Sequence, residues 1–164
     1  MTLTAGQFSA LQEVSYVQLN EMVDGILVGL GGFGPWTDYT PTTTNITVGN
    51  GALAFSYRRS DKLVEVKGRF LLGSTSAMGT SPTFSLPVNA IDGYDIEGGS
   101  GSCQLSDATG PRAYGRLFYS SGAVGLLALA TSGSYATGAP VTATVPFTWA
   151  VNDHVTLHAI YEAA

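Results

Sequence analysis

The chain has 164 residues, 12% of them charged and 45% hydrophobic, with a formal net charge of -5 and a mean hydropathy of +0.19. That length holds one ordinary domain and a short appendage, and the charged share is about half the roughly 25% of an average soluble domain. The acidic balance opposes a nucleic-acid binder, which needs a cationic footprint to displace counterions, and it opposes a polybasic membrane contact.

So little charge leaves Ser, Thr and the 21 Gly, or partner chains, to cover the apolar surface. The single cysteine, Cys103, excludes an intrachain disulfide and a Cys-based zinc site, and reads as a small packed residue. The first ten residues carry no Lys or Arg before an apolar run, so they do not read as a secretory signal. The longest apolar run, Ala123 to Ala130, is too short to span a bilayer. The expectation is a soluble protein made in the cytoplasm, with no membrane partner.

In chain order, the first element is a predicted helix. Leu19, Met22, Val23, Ile26, Leu27 and Leu30 fall three and four apart, on one face of a helix that starts near Ser15. Ser15 and Gln18 have capping-box spacing, and Gly31-Gly32 is a stop. The subset Tyr16, Leu19, Val23, Ile26 and Leu30 has the three-four spacing of a coiled-coil seam. Two heptads leave two readings open: copies meeting along this seam or docking on a partner, and a helix packed on its own domain. Residues 1–34 are expected to form a helical anchor with a Gly-rich hinge, and residues 35–164 a β-sandwich domain.

After Gly34-Pro35 the period becomes two. Leu53, Phe55 and Tyr57 alternate with Ala54, Ser56 and Arg58. Residues 59–62 supply a turn, and Val64, Val66, Gly68, Phe70 and Leu72 alternate with Glu65, Lys67 and Arg69. This predicts a β-hairpin with one buried and one wet face. Further strands are predicted over 84–88, with Pro87 marking an edge or end, and over 94–96, 102–105 and 114–119. The run 123–130 reads as a strand that could be buried on both sides. Strands over 141–147 and 155–161 follow. About eight short strands between Gly, Ser, Thr and Pro clusters predict an all-β fold, an antiparallel sandwich or jelly roll.

The candidate sites are weak. Residues 29–34 spell G-x-G-x-x-G, but a helix precedes them and Pro35 follows, the wrong context for a dinucleotide, so they read as a hinge. His154 and His158, on one face of a strand, lie about 13 Å apart, too far to share one ion. Asp153 could orient His154, but no nucleophile elbow is present. Asp92, Asp95, Glu97 and Asp107 lie in Gly-rich sequence and read as turn residues more readily than as paired acids or calcium ligands. No catalytic, cofactor or metal residue is assigned. Trp36 and Tyr39 are the candidate glycan contacts, since Trp36 sits in a connector; core packing is the alternative for both.

The segment Trp36-Thr37-Asp38-Tyr39-Thr40-Pro41-Thr42 resembles the W-T-x-Y-T-P-T opening of β domains in tail-fibre, minor tail and head-decorating proteins of tailed phages, notably those of actinobacteria. Gly49 to Leu53, Tyr57-Arg58-Arg59, Leu63 to Val66, Phe84 to Val88, Trp149 to Asp153 and Tyr161-Glu162 are similar to the strands that follow there, and Val17 to Asn20 to the helical lead-in. The resemblance implies a jelly-roll-like domain, often trimeric, without enzymatic activity or cofactor. Little sequence precedes the helix, which favours a head-surface protein over a long fibre. The expected function is a homotrimeric capsid decoration protein that stabilises the head, partnered by the major capsid protein or another virion protein. The alternative is a tail-fibre or minor tail module that recognises host surface glycans.

Overall fold

The computed structural model describes residues 21–23, 26, 32–91, 101–120, 122–132 and 135–164. The chain forms two compact units, Met1–Gly34 and Pro35–Ala164. In the first, Met22, Val23 and Ile26 are helical and exposed. Tyr16, Leu19 and Leu30, the rest of the expected seam, lie outside the described residues, as do Asp92, Asp95, Glu97 and the strand expected over 94–96.

The second unit is nearly all antiparallel β, of the sandwich or jelly-roll class. Its strands are β1 (Thr37–Tyr39), β2 (Thr43–Thr47), β3 (Ala52–Ser60), β4 (Leu63–Leu71), β5 (Ala77–Ser85), β6 (Gly101–Ser106), β7 (Arg112–Ser120), β8 (Ala123–Ser132), β9 (Tyr135–Pro140) and β10 (His154–Glu162). They form one sheet in the order β1-β3-β4-β10-β6-β7-β8-β5-β2, with β9 beside β8.

The predicted hairpin is β3–β4, paired from Ala52↔Leu71 to Ser60↔Leu63. Asp61 at its turn has φ 51°, a left-handed conformation that Asp tolerates better than most residues. Phe55, Val64, Val66 and Phe70 are buried on the inner face, as the alternation requires. β10 supplies Val155, Leu157, Ala159 and Tyr161 to the same face, and Val155↔Phe70 and Ala159↔Val66 are cross-strand pairs.

The sheet is curled. Phe55 and Phe70 lie on β3 and β4, far from β5 in strand order, yet their rings stand 5.1 and 6.3 Å from that of Phe84 on β5. Inner faces of the two halves therefore meet in one core. The curl also brings the two ends of the sheet together. β1 ends one side and β2 the other, and residues 40–42 join them directly. Thr42 and Ser85 carry the β2–β5 ladder one pair into this connection: the Thr42 N–H donates to Ser85 Oγ at 2.9 Å, and the Ser85 N–H to the Thr42 carbonyl at 2.9 Å.

Three expectations are corrected. The strand expected over 84–88 is instead the end of β5, which runs from Ala77 to Ser85, and 86–88 lie beyond it. The segment 141–147 is not a strand. Val141 is fully buried, the Thr142 N–H donates to the Val145 carbonyl, and the Trp149 indole N–H to the Thr142 carbonyl at 2.9 Å. Pro146 has no N–H to give a ladder, and the Phe147 and Trp149 rings pack together with centroids 4.7 Å apart. The apolar run of β8 is covered on one face only: Val124, Leu126 and Ala128 are buried, whereas Leu129 is 50% exposed. The strands that went unpredicted, β1, β2 and β9, are short and rich in Thr or Ala, with little apolar alternation to betray them.

Candidate functional site

Strand pairing sorts the charged side chains. Arg58 opposes Glu65, Ser56 opposes Lys67 and Ala54 opposes Arg69, all on the face away from the core. On β10, Thr156 opposes Arg69 and His158 opposes Lys67. Across β6, Ser102 links His158 to Arg116, and Ser106 links His154 to Arg112. Five of the seven cations in the chain, Arg58, Lys67, Arg69, Arg112 and Arg116, thus share one outer face with both histidines. Only Asp38, Glu65 and Glu162 oppose them there among the described residues. An acidic protein has a cationic side.

Glu65 is the anchor of this face. It is a buried carboxylate, 9% exposed. Its Oε2 accepts from Arg58 Nε at 2.5 Å and its Oε1 is 2.8 Å from His158 Nε2. Burial alone would push the carboxyl up, but the hydrogen bonds and charges of His158 and Arg58 outweigh it and hold the group below its ordinary range. Neither partner is near in sequence: Arg58 arrives through the hairpin register, and His158 from the last strand, 93 residues away.

Trp36 folds over the same face. Lys67 Nζ lies 4.0 Å from its ring centroid and Arg58 Cζ 4.7 Å, both within cation–π range. Beside Lys67 opens a shallow groove of about 720 Å³, whose outer-face lining is Asp38, Ala54, Ser56, Lys67, Arg69 and Thr156. Lys67 and Arg69 form no ion pair among the described residues.

Tyr39 takes the other side. Strand alternation sets it opposite Phe55 on the inner face, while Trp36 and Asp38 face outward. Its ring packs edge-on against Phe55 and Tyr57 at 5.8 and 5.7 Å, and burial holds its hydroxyl well above the usual phenol range. Trp36 and Tyr39 therefore do not form one stacking platform. The sequence marked Trp36 as a surface aromatic, but not the cations around it. The signal available was the outward phase of Arg58, Lys67 and Arg69 in the hairpin.

The other candidates resolve into structural parts. Asp153 does not orient His154. It is buried, and its Oδ1 and Oδ2 accept the backbone N–H groups of Ala108 at 2.8 Å and Ala150 at 2.7 Å, clamping the β6–β7 turn to the turn before β10. Asp107 caps its own turn, accepting from the Thr109 N–H and hydroxyl, and these bonds hold its carboxyl below the ordinary range. His154 and His158 point to the same face as predicted, and no group of three metal-ligating side chains occurs among the described residues. Cys103 is buried against Gly115, and burial pushes its thiol up to about 12.

A second outer surface is apolar. Tyr114, Leu127 and Leu129 share the outer face of β7 and β8, whereas Tyr135 of β9, paired with Ser132, falls on the opposite strand phase. Tyr114, Leu129 and Tyr135 are 61, 50 and 79% exposed.

Compared with protein-family models, curated proteins and solved structures, the chain gives no match.

Proposed function

We propose that the chain is a non-enzymatic structural protein of a bacteriophage particle, a capsid decoration protein that assembles with copies of itself, as a homotrimer, and stabilises the head. The observation that carries this reading is exposed apolar surface on a weakly charged chain. Met22, Val23 and Ile26 face solvent on a helical segment, and Tyr114 and Leu129 do so on the outer face of the β unit. Exposed apolar residues grouped on a helix and on a sheet face favour contacts with another protein. The resemblance of residues 36–42 and of the strands after them to phage virion β domains supplies the address.

The test has two arms. Val23→Asp with Ile26→Asp places charges on the proposed seam, where an unpartnered buried charge costs several kcal/mol. Light scattering should show loss of the assembled mass while circular dichroism keeps the β spectrum. Particles made without the protein should lose heat or salt resistance, since each bound copy stabilises the head by mass action. A parent chain that is already monomeric, together with particles of unaltered resistance, removes the proposal.

A further inference from the structure

We propose that the groove between β1, β3, β4 and β10 binds an acidic saccharide, a ligand with one anionic group among many hydroxyls. The inference is independent of where the protein resides and of whether it assembles. Lys67 and Arg69 are two residues apart on one face of β4, so their backbone positions lie about 7 Å apart, a spacing that lets both side chains converge on one carboxylate or phosphate. Neither is neutralised by an ion pair among the described residues, whereas the neighbouring Arg58 is engaged with Glu65. The Trp36 ring under Lys67 Nζ holds that ammonium at the groove. Trp36 is thus a positioning residue, not a surface on which the sugar must stack.

The rest of the lining chooses the ligand. Ala54 and Ser56 leave a low floor, and Thr156 and Asp38 give short polar groups at the walls. Asp38 opposes Ser56, which opposes Lys67, so the carboxylate stands two strands, roughly 10 Å, from the cations. A polyanion such as a nucleic acid would set a second charge against Asp38. A neutral sugar would leave Lys67 and Arg69 unused. A free phosphate would leave most of the 720 Å³ unfilled. A single anion held at Lys67 and Arg69, with hydroxyls donating to Asp38 and bonding Ser56 and Thr156, uses the charged and hydroxyl groups of the outer face together. The volume lies within the range of ordinary ligand sites.

The experiment is titration calorimetry on the full chain with sialyllactose, a trisaccharide with one carboxylate, and with maltotriose, maltotriose phosphate and inorganic phosphate, at low and high salt. Either acidic trisaccharide should bind, more weakly as salt rises, and the pair distinguishes carboxylate from phosphate as the anion read. Maltotriose and inorganic phosphate should each bind at least roughly tenfold more weakly. Lys67→Gln and Arg69→Gln should each weaken binding by roughly ten- to a hundred-fold, the loss of one charge-assisted hydrogen bond. Trp36→Ala should weaken it less, and Trp36→Phe should restore part of the loss. Because both cations are on the outer face, thermal melts of the two Gln variants should match the parent. Absence of binding by both acidic trisaccharides, phosphate binding as tightly as they do, or Gln variants that bind like the parent would overturn the proposal.

Discussion

Gly68 sits directly opposite Phe55 in the β3–β4 ladder, on the inner face. The Phe55 ring lies over it: a Cβ built at position 68 would stand 2.2 Å from the ring's Cε1 and 2.4 Å from Cδ1. The same ring is 4% exposed and packs on Phe84 at 5.1 Å and Tyr39 at 5.8 Å, so it has nowhere to retreat. Gly68→Ala should therefore destabilise the fold by about 1–3 kcal/mol through overpacking, although Ala is otherwise the better strand residue. Phe55→Ala should cost about 3–5 kcal/mol as a core truncation. The two are coupled. With the ring gone, the added methyl enters vacated space, so Gly68→Ala in the Phe55→Ala background should cost less than about 0.5 kcal/mol or stabilise. Urea titrations followed by tryptophan fluorescence give the double-mutant cycle, and the coupling should exceed about 1 kcal/mol. Gly68→Ala at parental stability, or the same cost in both backgrounds, refutes the reasoning. The arrangement recurs on the outer face. Phe118 opposes Gly125, and a Cβ there would meet its Cζ at 2.1 Å.

Three further outcomes are expected. Asp153→Ala strands two backbone N–H groups in a buried clamp and should cost about 2–4 kcal/mol; Asp153→Asn, which keeps one acceptor, should cost less, and thermal melts check the order. Glu65 has a folded-state carboxyl held below its unfolded value of 4.5, so its contribution is present above that pH and is lost as pH falls through the lower folded value; Glu65→Gln should flatten this acid limb in pH-dependent urea midpoints. Cys103 runs the other way. Its thiol, raised from 9.0 to about 12, favours the fold below pH 9 and withdraws that support as pH climbs toward 12, so Cys103→Ala should lessen alkaline destabilisation, and native protein at pH 8 should resist thiol reagents.

The readable parts of the sequence were those whose information is local. Alternation of Leu53, Phe55 and Tyr57 against Ser56 and Arg58, and of Val64, Val66 and Phe70 against Glu65, Lys67 and Arg69, set the phase of the hairpin before any partner was known. The same rule placed β10, because Val155, Leu157, Ala159 and Tyr161 must share a face. It failed where alternation misleads. Residues 141–147 look like a strand until Pro146 and the Trp149 hydrogen bond are counted, and β2 and β9 lack the apolar residues that would announce them.

Composition, strand phase and the all-β class were determined by the sequence itself, since each depends on residue type and on neighbours one or two places away. Which strands pair, and so which charges meet, was decided only by the tertiary structure. Nothing local to Glu65 announces His158 at 2.8 Å, because β4 and β10 meet through long-range pairing. The cationic groove arises in the same way. Lys67 and Arg69 gain Asp38 on one side and Thr156 on the other only when the sheet assembles β1, β3, β4 and β10 side by side.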